Sequence, residues 1–134
     1  MMNYELLYSQ AKEKLETAYN LLPRYPAFNY SQKSPMRILS KMESLVNESK
    51  SICYKLKRNG YNSNNIINKC DELLRDIGNY YYCLSSFYTD KANREKENSN
   101  LMFKYYVKKS KKCFSNYKRL SGEGTIRERV KNNL

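Results

Sequence analysis

The stretch KYYVKKSKKCFSNYKR, residues 104–119, carries seven cationic side chains and no acid, interleaved with Tyr105, Tyr106, Phe114 and Tyr117. Side chains of these types do one kind of chemistry together. They neutralise phosphates, release condensed counterions and offer aromatic faces to unpaired bases. On a helix, Lys104, Lys108, Lys111 and Lys118 share one stripe about 21 Å long. Lys112 and Arg119 flank that stripe, Lys109 lies further round, and Tyr105 sits at its edge, where a ring could stack on a base. Basic solvent faces are common on helices, but they ordinarily mix signs to gain pair interactions. The absence of any acid from Lys104 to Arg119 favours a polyanion-binding surface. A second cationic group, Lys55, Lys57 and Arg58, joins the candidate surface, although cations at a helix C-terminus also complement its dipole.

The distribution of charge points the same way. The chain of 134 residues has 25 Lys and Arg against 13 Asp and Glu, a net +12 without histidine. Residues 1–31 are neutral, residues 32–90 carry +3, and residues 91–134 carry +9, thirteen bases against four acids. A generally basic composition would spread its charge; this one concentrates it in the last third, as an electrostatic footprint does.

Other chemistries lack their residues. With no histidine there is no His base, His triad or His metal ligand. The carboxylates Asp71, Glu72 and Asp76 sit at helical spacing with Arg75, which a solvated helix face explains. No glycine-rich phosphate loop is present. Cys53, Cys70, Cys83 and Cys113 form no CxxC pair and read as reduced core thiols. The chain is expected to have no catalytic residue, no metal site and no cofactor. No apolar run is long enough to span a bilayer, and the N-terminus lacks a signal-peptide pattern, so a soluble, cytoplasmic protein is expected.

The elements that position these residues follow from apolar spacing. Leu7, Ala11, Leu15, Ala18 and Leu22 recur at steps of four and three, the period of one helical face. Pro23 and Pro26 stop that helix. Ser34 then caps a second, with Pro35 at its first position. Leu39, Met42, Val46, Ser49, Cys53 and Leu56 form its buried face, and Gly60 ends it. After the turn YNSNN, a third helix carries Ile66, Cys70, Leu73, Ile77, Tyr80 or Tyr81, Leu84 and Phe87 on one face. Gly78 inside it points to a close helix approach. The polar segment TDKANREKENSN reads as a long loop. A fourth helix follows, with Met102, Tyr106, Ser110, Cys113, Tyr117 and Leu120 facing inward, and SGEG closes it. The expected fold is all-α, an up-down four-helix bundle over residues 1–120 with a basic tail over 121–134 that docks or stays disordered.

Fourteen tyrosines are a further oddity. Three in a row, Tyr80–Tyr82, span roughly 200° of a helix, so not all can face one core. Tyr80, Tyr81, Tyr82 and Tyr105 are read as candidate subunit-interface residues, tyrosine being enriched at such surfaces; an A+T-rich coding sequence, which would also supply the Asn and Lys, accounts for them equally well.

The order of these features is familiar: a first helix ending in LLPR, a proline-bearing link, a helix opening PMRIL, then CDELLRDIGNYYYCL and a basic, tyrosine-containing last helix. It resembles the Avd family, the accessory variability determinants of diversity-generating retroelements, and the four-helix proteins encoded in ribosomal RNA intervening sequences. The resemblance covers roughly residues 4–120. It implies a non-catalytic homopentamer that binds a reverse transcriptase and its template RNA during targeted mutagenesis. The basic fourth helix would be the contact surface. A different reading is a small phage or mobile-element helical protein that binds and inhibits a host nucleic-acid-binding protein.

Overall fold

The computed structural model describes residues 3–21 and 35–132, with side chains through Ser121. Four helices make up the described residues, and no strand occurs among them: α1 Tyr4–Leu21, α2 Pro35–Arg58, α3 Asn64–Glu95 and α4 Asn100–Asn132. The all-α, four-helix architecture is as the spacing predicts. The chain divides into two compact units, Met1–Leu74 and Arg75–Leu134, the boundary falling inside α3.

In the first unit, α1 and α2 run antiparallel. Ser49 Oγ donates to the Ala11 carbonyl at 2.6 Å, and Lys14 meets Glu48 at 2.8 Å. Farther along, Tyr4 and Tyr8 both pack on Tyr61. Ala11, Leu15 and Ala18 fill the buried face of α1, and Leu39, Met42, Val46, Cys53 and Leu56 that of α2. Ser49 belongs to that face because its hydroxyl is satisfied inside, as burial of a polar group requires. Pro35 opens α2; the expected stops at Pro23 and Pro26 and the cap at Ser34 lie outside the described residues.

Glycine closes α2 as expected. Gly60 has φ of +82°, its N–H donates to Lys57 O, and the Tyr61 N–H donates to Leu56 O. Those two bonds are the Schellman pattern, and its left-handed position favours glycine. Ser63 then donates to the Cys53 carbonyl at 2.7 Å, pinning the start of α3 to α2. Lys50 pairs with Asp71 Oδ1 at 2.7 Å. That oxygen is buried and has no partner in hydrogen-bonding geometry, so the ion pair is its compensation.

The second unit pairs residues 75–95 of α3 with α4, again antiparallel. Gly78 lies against Leu120, Tyr82 against Phe114 and Tyr117, Ser85 against Ser110, and Tyr88 against Tyr106. The close approach expected at Gly78 is present. The buried face of α3 steps Ile77, Tyr81, Leu84, Tyr88 and Ala92, so Tyr88 takes the place expected of Phe87, which is half-buried.

Two boundaries differ from expectation. The segment TDKANREKENSN is not a long loop: α3 runs on to Glu95, and only residues 96–99 connect it to α4. Thr89 returns its hydroxyl to Ser85 O and Ala92 is buried, so this polar stretch is the solvent face of a helix with a thin apolar seam. Ser99 caps α4, its Oγ accepting the Met102 N–H at 3.2 Å. At the other end, α4 passes Gly122 and Gly124 to Asn132. A glycine in a helical stretch costs about 1 kcal/mol relative to alanine and does not by itself impose a stop.

Candidate nucleic-acid interface

The cations of α4 between Lys104 and Arg119 divide into three groups by their surroundings. Lys108, Lys112 and Arg119 face outward and are exposed, with Arg119 donating to Asn116 Oδ1 at 3.1 Å. Lys104, Lys111 and Lys118 are also exposed and lie at seven-residue steps, which keeps them in one row. Lys118 sets its ammonium 4.9 Å from the centre of the Phe114 ring. Lys109 is different: it is half-buried, between Tyr88 at 5.3 Å and Tyr105 at 5.0 Å. A hydrogen bond with Tyr105 raises its pKa, outweighing the opposite effect of burial. Its charge is therefore fixed and already engaged by protein.

The ion pairs Lys14–Glu48 and Lys50–Asp71 both lie in the first unit. Lys104, Lys108, Lys111 and Lys112 have no acidic partner among the described residues. Six of the seven cations between Lys104 and Arg119 thus reach solvent on one helix. Lys55, Lys57 and Arg58 are exposed in the last turn of α2, in the first unit. There they face the free carbonyl end of the helix, and Asn59 Nδ2 covers Lys55 O at 2.8 Å.

The tyrosines separate sharply. Tyr81 is only 3% exposed and belongs to the core of the second unit, which corrects its reading as a subunit-interface residue. It continues the inward series Ile77, Tyr81, Leu84 at steps of four and three. Tyr80 is half-buried, and burial followed by the charge of Asp76 raises its pKa. Tyr82 and Tyr105 are the exposed members, at 49% and 47%. Tyr105 stands edge-on to Tyr106 at 5.2 Å. Tyr82 stands edge-on to Tyr117 at 5.0 Å and lies 6.5 Å from Phe114.

Sequence reasoning passed over Phe114 and Lys91. Phe114 is 39% exposed beside Lys118, and its position one line from the lysine row was the available signal. Lys91 caps the rings of Phe87 at 5.0 Å and Tyr106 at 5.4 Å. The sequence alone reads Lys91 as part of a polar loop, and a loop residue has no helical face.

The thiols are poorly suited to nucleophilic work. Cys53 and Cys113 are fully buried and burial pushes both up to about 11; Cys70 is raised by the same cause. All four cysteines are free, and Cys83 is half-buried rather than a core residue. Among the described residues no group of three His, Cys, Asp or Glu side chains could hold a metal. No described helix is long and apolar enough to cross a membrane.

No family model, curated protein or solved structure matches this chain.

Proposed function

We propose that the chain is a non-catalytic RNA-binding protein whose contact surface is α4 between Lys104 and Arg119. One observation carries this reading: six exposed cations stand on one helix with no acidic side chain between them. Such a surface takes the phosphates of an RNA strand, and binding is driven by counterion release. Phosphate contacts of this kind position a nucleic acid without reading its sequence.

The LLPR and PMRIL segments and the order of the helices support a more specific setting. In it the RNA is the template of a diversity-generating retroelement, a reverse transcriptase is the protein partner, and five copies of the chain assemble. That setting rests on resemblance alone; the RNA-binding reading rests on the cations of α4.

Ultraviolet crosslinking of the nuclease-treated protein to RNA, followed by peptide mapping, tests the reading. Crosslinked peptides from residues 104–119 are expected. Crosslinks confined to the first unit would overturn it.

A further inference from the structure

One flank of the α3–α4 pair combines charge with exposed rings. On α4, Phe103, Val107 and Phe114 follow one line at steps of four and seven, and Lys104, Lys111 and Lys118 follow the next. On α3 the facing edge reads Tyr82, Ser86, Thr89 and Asn93, with no carboxylate in the row. Between the two edges lies a cleft of about 270 Å³ bounded by Thr89, Asn93, Phe103, Val107 and Lys111. Ala92 and Ser110 complete its lining; Thr89 Oγ1 and Ser110 Oγ are 2.6 Å apart, and both lie within hydrogen-bonding distance of Ser85 O. Farther along the flank stand the half-exposed rings of Tyr82 and Phe114, with the Lys118 ammonium over Phe114.

We infer that this flank holds an unpaired nucleic-acid strand, with bases against Tyr82, Phe114 and the cleft and phosphates along Lys104, Lys111 and Lys118. The inference rests on the proposed RNA binding by α4 and names its substrate class, single strand rather than duplex. A lysine row alone would suit either form. Half-exposed rings beside it suit only bases that are free to stack, because duplex bases already stack on each other. At about 270 Å³ the cleft falls just below the roughly 300–1,000 Å³ range of small-ligand sites, a size for one ring system rather than a large cofactor. A second copy meeting this flank across a twofold axis would bring the lysine row against itself, and like charges so placed repel.

The test uses the full chain, freed of nucleic acid, and fluorescence anisotropy. The probes are an RNA of about a dozen nucleotides and the same strand annealed to its complement. Tyr82→Ala and Phe114→Ala should each weaken single-strand binding about tenfold while changing duplex binding by less than about twofold. Phe114→Leu, which keeps the apolar contact but loses the aromatic face, should behave like Phe114→Ala, and Phe114→Tyr should restore binding. Circular dichroism of Phe114→Leu and Phe114→Tyr confirms that folding is retained. Wild-type binding that is undiminished in all ring variants would overturn the inference and leave RNA binding by α4 standing. A wild-type protein that binds neither probe would overturn both. Ring variants that lower the mass of an assembly without altering RNA affinity would assign the flank to another copy of the chain and overturn the inference.

Discussion

A Cβ placed on Gly78 of α3 would meet the Leu120 Cβ of α4 at 3.2 Å. The glycine is what lets the two helices approach so closely, and the approach brings Tyr82 within reach of Tyr117 and Phe114. The side-chain geometry of the proposed strand-binding flank therefore depends on a residue that touches no ligand.

That dependence can be measured. Alanine at Gly78 gains about 1 kcal/mol of helix propensity but forces α4 to retreat by a few tenths of an ångström. Gly78→Ala should lie within about 1 kcal/mol of wild type. Gly78→Leu should lose about 1–3 kcal/mol, the usual range for overpacking. Urea unfolding of both variants checks this; equal stability of Gly78→Leu and wild type would show that the helices are free to separate.

The buried thiols set an alkaline limit to stability. A thiol whose folded pKa lies above its unfolded value keeps its proton longer in the native state. As pH rises, the unfolded chain loses protons first and is favoured. For Cys53 and Cys113, pushed up from 9.0 to about 11 by burial, the contribution is full below about pH 9 and lost between about 9 and 11. Urea midpoints measured from pH 8 to 11 should fall more steeply toward high pH for wild type than for a Cys53→Val, Cys113→Val variant. Parallel profiles would mean that these thiols do not titrate on unfolding.

The retroelement setting makes its own demand. Light scattering coupled to gel filtration, in high salt after nuclease treatment, should give five times the 16.0 kDa chain mass. A monomer or dimer would remove that setting, leave RNA binding by α4 to stand alone, and favour the reading as an inhibitor of a host nucleic-acid-binding protein.

Much of the fold was legible because its periodicities are strong. All six inward positions of α2 from Leu39 to Leu56 are fully buried, and Gly60 takes the φ that a helix-ending glycine needs. The end of α3 was not legible. Between Thr89 and Glu95 the only buried side chain is Ala92, and a single small apolar residue in a charged stretch resembles a loop. Tyr81 and Tyr82 could not be sorted by type, since one tyrosine closes the core and its neighbour meets solvent. The lysine stripe was legible, but its partners were not. The rings of Tyr82 and Phe114 come from different helices, and only their packing places them beside Lys118.

The salt dependence of RNA affinity tests the central claim most directly. For wild type, the logarithm of the binding constant should fall steeply and linearly with the logarithm of salt concentration. Replacing Lys108, Lys111 and Lys112 with Gln should make that slope shallower by roughly 0.7 for each lysine that contacts a phosphate of a single strand, with helicity unchanged. An affinity and slope identical to wild type would contradict the account and leave α4 an ordinary solvated helix face.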